Sequence, residues 1–313
     1  MEYTLEDRIE EMLREKNRAD VVKWSVVFLT AATVLINLIA YLVTGFEDPV
    51  SDGEWRLVCV GLALFMVFAF LGPFLIWLYF RLRKNYALSY KYILVRRAMV
   101  GLYENIRYDS DRGNLLCKEL QTAELIGTGK RMNGADLVEG SCNGVPFSRS
   151  DLNVLYEKKN GEYDSRFWGV VYAFPYPKDF VTDLQILSMS FLGAKFQCTD
   201  AYKLQYGKRH TIETENETFN EMFLCRCQAD TEAFYLLTPG MMQKLTRLQE
   251  AIGYPFMAGF VNRKLYIVVR GGGDRMEPPF FRRFDLNREA ERVRDELLVI
   301  RRITEIMELG GNA

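Results

Sequence analysis

Two long apolar runs, residues 24–43 and 57–80, dominate the hydropathy pattern of this chain. Neither run contains Asp, Glu, Lys or Arg, and neither shows the polar face that is typical of a core helix in a soluble protein. Twenty helical residues rise about 30 Å, which matches the hydrocarbon thickness of a bilayer. The pattern therefore predicts two transmembrane helices, and the short connection between them, residues 44–56, predicts an antiparallel hairpin.

Two features inside the apolar runs carry structural expectations. Asn37 bears a side-chain amide in a hydrocarbon environment, so we expect it to face the partner helix. The pair Gly72-Pro73 lacks one backbone hydrogen-bond donor, which predicts a kink in the second helix.

Basic residues flank the two runs, whereas the connection between the runs is mainly acidic. They are Arg8, Arg14, Lys16, Arg18 and Lys23 before the first run, and Arg81, Arg83 and Lys84 after the second; the connection carries Glu47, Asp48, Asp52, Glu54 and Arg56. Basic residues stay on the cytoplasmic side of a membrane. The pattern predicts a multi-pass protein of the inner (cytoplasmic) membrane with both termini cytoplasmic, so the lipid bilayer is its first expected partner.

The remaining composition agrees with this placement. The cysteines outside the apolar runs are odd in number and unevenly spaced, which favours reduced thiols over a disulfide framework. They are Cys117, Cys142, Cys198, Cys225 and Cys227. The formal net charge is −1, so nucleic acid is not an expected partner.

Composition and periodicity divide the chain into seven segments. These are an amphipathic cytoplasmic helix (1–20), transmembrane helix 1 (21–43), an external acidic loop (44–56), transmembrane helix 2 (57–80), a helical stalk and connector (81–122), a cytoplasmic α+β domain (123–286) and a C-terminal helix (287–313). The predicted fold class is α+β: an N-terminal two-helix transmembrane hairpin, followed by a cytoplasmic domain of antiparallel β-hairpins with a few helices. Whether this domain forms one lobe, or two that meet near Phe191, stays open.

Turn residues predict the hairpins of the cytoplasmic domain. Asn143-Gly144 and Asn160-Gly161 each supply the two positive φ angles of a type I′ turn between strand-like segments. A further hairpin is expected to join residues 256–261 to 265–269 across residues 262–264.

One helix of the domain carries both a start and a stop signal. Thr238 is predicted as its N-cap, Pro239 suits the first helical position, and Gly253 closes the helix. Residues 271–274 and Pro278-Pro279 are predicted to form a flexible joint before the C-terminal helix. That helix could pack on its own domain, on the N-terminal helix or on a second copy of itself.

The residues that could carry chemistry are few. His210 is the one histidine, and no G-x-S-x-G nucleophile elbow accompanies it, which favours an exposed histidine at a strand end. Cys225 and Cys227 share one face of a predicted strand, but two thiols are two ligands short of a zinc site. Unless Cys198 and His210 complete such a site by folding, small core residues are the favoured interpretation.

Other candidate motifs fail on spacing or burial. Residues 127–131 lack the glycine spacing and the Ser or Thr of a phosphate loop. Glu213, Glu215 and Glu217 lie on a polar segment where nothing predicts a raised carboxyl pKa. We therefore predict no catalytic residues, no metal ligands and no cofactor, and the residues of any ligand site remain unknown.

Several aromatic and aliphatic motifs point to a known family. They are Asp136-Leu137-Val138-x-Gly140, Gly144-Val145-Pro146-Phe147-Ser148, Phe167-Trp168-Gly169-Val170, Phe219 with Phe223, Ala233-Phe234-Tyr235-Leu236-Leu237-Thr238-Pro239, and Phe260-Val261-Asn262-x-Lys264-Leu265-Tyr266-Ile267. With the two-span layout, they resemble a bacterial membrane family known only as a domain of unknown function (number thirty-one thirty-seven). Arg149 departs from the acidic residue expected there. The resemblance implies no catalytic residues, and the motif residues suggest core packing.

The sequence thus favours an integral membrane protein whose cytoplasmic domain acts as a non-catalytic binding or scaffold module. The expected cytoplasmic partner is a protein or a small ligand, and a homo-oligomer stays open. Two alternatives also stay open: a membrane-anchored enzyme with an unrecognised active site, and a membrane-perturbing oligomeric effector in which the hairpin is the working part.

Overall fold

The computed structural model describes residues 5–44, 52–126, 131–157, 163–176, 183–191, 209–271 and 276–310. The chain folds as two compact units. Unit 1 comprises Met1–Ile93 together with Glu277–Phe284, and unit 2 comprises Leu94–Met276 together with Asp285–Ala313.

The described residues form eight α-helices and nine strands, which confirms the α+β class. The helices are α1 (Leu5–Thr44), α2 (Asp52–Tyr90), α3 (Arg96–Met99), α4 (Asn114–Thr122), α5 (Glu217–Met222), α6 (Asp230–Leu236), α7 (Pro239–Ile252) and α8 (Leu286–Ile306), with a π-helix at Lys91–Val95. The strands are β1 (Glu104–Asp109), β2 (Arg131–Cys142), β3 (Val145–Glu157), β4 (Tyr163–Pro175), β5 (Leu184–Ser188), β6 (His210–Ile212), β7 (Phe223–Cys227), β8 (Phe256–Val261) and β9 (Lys264–Arg270).

Unit 1 is built on α1 and α2, which pack against each other. Both helices are long and apolar enough to cross a membrane. The Asn37 side-chain amide donates to the carbonyl oxygen of Thr33 at 2.8 Å and to that of Gly61, on the partner helix, at 3.5 Å. The prediction that Asn37 faces the partner helix is therefore confirmed. Pro73 lies inside α2, and the kink predicted there stays a prediction.

The N-terminal amphipathic segment and the first apolar run belong to one helix. Helix α1 runs without interruption from Leu5 through the first apolar run to Thr44. Ser25 and Thr30 return their hydroxyl hydrogens to carbonyl oxygens one turn earlier, at 2.9 and 2.8 Å. These bonds satisfy polar side chains within the helix, which an apolar environment requires.

Unit 2 is organised by one continuous sheet. Its strand order is β1-β2-β3-β4-β9-β8-β5-β7-β6, and every neighbouring pair is antiparallel. The described strands thus form one sheet across the position at which two lobes were considered. Strand β1 lies inside the range predicted as helical stalk and connector, residues 81–122. A register shift between Glu104 and Arg107 interrupts the alternation of inward and outward side chains along β1, so the sequence does not show the period of two that predicts a strand.

The turns follow from local chemistry. Asn143 and Gly144 have φ angles of 52° and 76°, so the predicted type I′ turn between β2 and β3 is confirmed. The β8–β9 hairpin is also confirmed, and its turn consists of Asn262 and Arg263, both with positive φ. Strands β3 and β4 pair as expected, whereas Asn160-Gly161 lies outside the described residues.

The end signals of α7 are confirmed. The Thr238 hydroxyl oxygen accepts a hydrogen bond from the backbone N–H of Met241 at 3.3 Å, Pro239 occupies the first turn, and Gly253 has a φ of 67°. The apolar α7 residues Met241, Met242, Leu245, Leu248 and Ile252 are buried, as the apolar stripe of an amphipathic helix requires.

Helix α4 and strand β2 approach each other through two glycines. A Cβ atom on Gly134 would lie 2.2 Å from the carbonyl carbon and oxygen of Gly113. Because these neighbouring atoms belong to the backbone rather than to a flexible side chain, a Cβ atom at Gly134 would require the backbone itself to shift.

We predict that Gly134→Ala lowers the free energy of unfolding by about 3 kcal/mol, because the added methyl group forces β2 away from α4. The measurement is thermal unfolding of the full-length protein in detergent. Gly240→Ala is the matched control, since the nearest atom to its new Cβ would be 4.0 Å away. Equal melting temperatures for the two variants would contradict the close approach.

Candidate functional site

Arg149 on β3 is fully buried and sits among acidic groups. One of its terminal nitrogens, Nη2, lies 2.7 Å from Asp151 Oδ1 and 3.1 Å from Glu296 Oε1. Tyr172, its cross-strand neighbour on β4, donates its hydroxyl hydrogen to the same Glu296 oxygen at 3.2 Å. The carboxylates that pair with Arg149 thus come from β3 itself and from α8.

The electrostatics of this cluster are those of a structural ion pair. Burial alone would lower the pKa of Arg149, but Asp151 and Glu296 raise it above its ordinary value, so the guanidinium stays charged. Burial, with a contribution from Glu296, raises the pKa of Tyr172, so this phenol stays protonated. The guanidinium and the two carboxylates pair with one another within the core, and we therefore assign the Arg149 cluster to folding rather than to chemistry.

A further buried acid, Asp136, accounts for one of the motifs singled out in the sequence. It lies in the irregular part of β2 between Ala135 and Val138, and its φ angle is 54°. Its carboxylate accepts a hydrogen bond from the Tyr108 hydroxyl at 2.6 Å. The Asp136-Leu137-Val138 motif thus forms a β-bulge, which requires a residue that tolerates positive φ.

The folded chain brings three chemically capable side chains together at one end of the sheet. His210 begins β6 and pairs in register with Cys227 on β7, and Asp230 begins α6. The Cys227 sulfur lies 4.0 Å from His210 Nε2 and 3.6 Å from Asp230 Oδ1, and the Asp230 carboxylate also pairs with His210 Nε2. The prediction of an exposed histidine at a strand end is confirmed.

The geometry of this His210–Cys227–Asp230 cluster does not match a nucleophilic triad. In a triad the acid and the nucleophile bind opposite nitrogens of the imidazole, whereas here both approach Nε2. Burial, followed by the hydrogen bond to Asp230, raises the pKa of the Cys227 thiol to about 11. The thiol is therefore protonated at neutral pH, and only the thiolate is a strong nucleophile.

The same three side chains are also the described residues that could hold a metal ion. Their donor atoms all lie within 4.8 Å of one another. A closed structural zinc site needs four protein ligands, so this set is one short. Cys198 lies outside the described residues, and Cys225 is buried with its thiol pKa raised to about 12, mainly by burial. The expectation of no metal ligand stays a prediction.

The other candidate motifs contribute no described site. Residues 127–130 of the rejected phosphate loop lie outside the described residues, as do residues 272–275. Glu213, Glu215 and Glu217 are exposed, as predicted.

A groove in unit 2 offers a different kind of surface. It runs between the segment that contains α3 and the first turns of α8, is open to solvent, and has a volume of about 500 Å³. Arg97 and Arg294 line it together with Glu291, and apolar contact comes from Leu94 and Val100. Val100 is 78% exposed. Sequence reasoning missed this groove because it depends on the packing of segments almost two hundred residues apart.

A comparison with protein families finds a match in the second half of the chain. Residues 165–309 match a family described as Protein of unknown function (DUF3137). The resemblance drawn from the motifs is therefore confirmed over this range. The DUF3137 match contains β4 from its third residue onward, all later strands and α8, whereas Asp136 and Arg149 precede it. No curated protein matches the chain significantly.

One solved structure with some likeness is the mycobacterial trehalose monomycolate transport factor A, TtfA. Its sequence is 10% identical, and the alignment covers 69% of this chain and 95% of that chain with a TM-score of 0.34. At this TM-score the likeness carries no argument about this protein.

The cluster around Cys227 yields a test of its electrostatics. Because Asp230 helps to raise the pKa of the Cys227 thiol, Asp230→Asn lowers that pKa and increases the thiolate fraction at pH 7.5. We expect the alkylation rate of Cys227 by iodoacetamide to rise about threefold or more. Mass spectrometry of the Cys227 peptide measures the rate.

Glu213→Gln serves as the matched control, since Glu213 is an exposed acid on the neighbouring segment and does not contact Cys227. In Glu213→Gln we expect the alkylation rate of Cys227 to stay at the wild-type value. An unchanged or slower rate in Asp230→Asn would show that Asp230 does not hold the thiol in its protonated form.

Proposed function

We propose that this protein is a non-catalytic binding module anchored in the inner membrane, with α1 and α2 crossing the bilayer and unit 2 binding a partner protein in the cytoplasm. The exposure of large apolar side chains along both helices is the observation that carries the anchoring. Phe28, Leu42 and Phe70 are 76%, 69% and 75% exposed. Water solvates such a surface poorly, whereas lipid chains solvate it well.

The charge distribution supports the orientation. On α1, Lys16 and Lys23 form ion pairs with Asp20 at 2.8 and 3.2 Å, just before the first apolar run. Basic residues follow the second run as well, at Arg81 and Arg83. The positive-inside rule then favours a cytoplasmic location for both helix ends and for the chain that follows.

The chemistry of the described clusters supports binding rather than turnover. The charged groups of the Arg149 cluster form ion pairs with one another. The raised pKa of the Cys227 thiol keeps it protonated at neutral pH. By contrast, the groove of unit 2 combines exposed arginines with apolar contact and is open to solvent. Enclosed pockets are typical of small molecules, so an open groove with this lining favours an acidic, amphipathic segment of a protein.

The binding proposal is tested by photocrosslinking in intact membranes. A photoreactive amino acid replaces Val100 in the groove of the full-length protein, and we expect one dominant protein adduct. The double variant Arg97→Glu, Arg294→Glu reverses the two groove cations, so it reduces the adduct about tenfold if an acidic segment binds there. Immunoblotting of the adduct gives the yield.

Leu115 is the matched control position, because it is an exposed apolar side chain on α4 outside the groove. An adduct of the same size from Leu115, or no response to charge reversal, would contradict binding in the groove. Replacing residues 24–43 and 57–80 by an unrelated hairpin leaves the adduct unchanged if the helices only anchor the protein. Loss of the adduct in that chimera would favour the effector alternative.

The orientation has a separate test. In a Cys59→Ala background, we expect Ser51→Cys to react with a membrane-impermeant maleimide in intact spheroplasts, because residues 44–56 are external. Lys118→Cys, on the exposed surface of α4, reacts only after permeabilisation. The reverse pattern of labelling would overturn the positive-inside assignment.

A further inference from the structure

A short segment after the sheet belongs to unit 1 rather than to unit 2. This returning segment, Glu277–Phe284, packs on α2 through two aromatic pairs. The ring centroids of Phe280 and Tyr86 are 6.0 Å apart, and those of Phe284 and Tyr90 are 6.4 Å apart, both with edge-on geometry. Such pairs stabilise contacts beyond the burial of apolar area. The segment is therefore attached at its middle and at its end.

Charged groups add two more contacts to the segment, one at Glu277 and one at Phe280. Glu277 Oε1 lies 2.5 Å from Lys91 Nζ. The guanidinium carbon of Arg83 lies 3.9 Å from the centroid of the Phe280 ring, within the range of a cation–π contact. Pro278 and Pro279, which the sequence predicted as part of a flexible joint, are buried. The joint interpretation is wrong for these two residues, because the segment packs on unit 1.

Phe281 differs from Phe280 and Phe284 because its ring does not pack on α2. Its side chain is 83% exposed, although Phe280 and Phe284 hold the backbone on either side of it. Lys23 Nζ lies 5.7 Å from the Phe281 ring centroid and 5.3 Å from that of Trp24. Since the first apolar run begins at residue 24, Phe281 lies at the level where the apolar surface of unit 1 starts.

The surroundings of Phe281 are strongly basic. The exposed basic residues of unit 1 near this level are Arg282 and Arg283 on the returning segment, and Arg81 and Lys84 on α2 directly after the second apolar run. An exposed aromatic side chain beside several cations is the composition of segments that lie in a membrane interface.

We propose that the returning segment is a third membrane contact, in which Phe281 inserts between lipid headgroups and Arg282 and Arg283 bind anionic phospholipids. The proposal rests on the proposed membrane anchoring of α1 and α2. The expected partner is lipid because Lys23, directly before the first apolar run, contacts both the Phe281 ring and the ring of Trp24, the first residue of that run. Aromatic and basic residues concentrate at this depth in membrane proteins.

The test uses full-length protein in vesicles of phosphatidylcholine, with or without about three parts in ten of phosphatidylglycerol. The vesicles contain a phosphatidylcholine that carries a photoreactive diazirine on its acyl chain, close to the ester bond. Light activates the diazirine, and mass spectrometry then maps the lipid adducts. We expect adducts on residues 280–283, with a yield that rises about threefold when phosphatidylglycerol is present. Phe281→Ser loses the adducts and Phe281→Leu keeps them.

Adducts on the apolar runs report insertion of α1 and α2 in the same sample. Their absence would overturn the anchoring itself, whereas adducts on the runs without any on residues 280–283 would overturn the third contact alone. The double variant Arg282→Ala, Arg283→Ala removes the response to phosphatidylglycerol. If the response survives, the assignment of these arginines to anionic lipid is wrong. Phe234→Ser is the control for loss of an exposed aromatic side chain elsewhere, and it leaves the adducts unchanged.

Discussion

The apolar surface of α1 and α2 is the constraint on which the rest of unit 1 depends. Each Å² of apolar area left in water costs about 25 cal/mol, and these helices expose Phe28, Phe70 and many similar side chains. An apolar environment removes that cost but requires every polar group inside the helices to find a partner. Thr30 meets the requirement through its own helix, and Asn37 meets it partly through Gly61 of the neighbouring helix.

Unit 2 differs from unit 1 because it buries charged side chains, and each buried charge needs a partner of opposite sign. Arg149 is held by Asp151 from its own strand and by Glu296 from α8. Removing Arg149 would leave two buried carboxylates without their cation, which is why such clusters are costly to disturb and poor candidates for turnover. In the His210–Cys227–Asp230 cluster His210 and Asp230 are exposed and only Cys227 is buried, so its hydrogen bonds constrain the protein far less.

Local chemistry explains which parts of the fold were predictable. Asn143-Gly144 determines its own turn, and Thr238 with Gly253 marks both ends of α7, so neighbouring residues carried all the necessary information. The Arg149–Glu296 pair joins residues 147 positions apart, and the pairing of His210 with Cys227 depends on strand register. Neither a contact between residues far apart in the chain nor the register of two strands can be read from local sequence patterns. The Arg149 cluster, the groove and the His210–Cys227–Asp230 cluster were therefore missed.

The returning segment shows how a correct local inference can still mislead. Two prolines restrict φ and prevent a helix, but this restriction does not decide whether the segment packs. The decision lies in a match of spacing: Phe280 and Phe284 are four residues apart, as are Tyr86 and Tyr90 on one face of α2. With both pairs engaged, the backbone between them is held, and Phe281 is left facing outward. A fixed backbone that presents an aromatic side chain beside Lys23 has already lost the conformational entropy that insertion into an interface would otherwise cost.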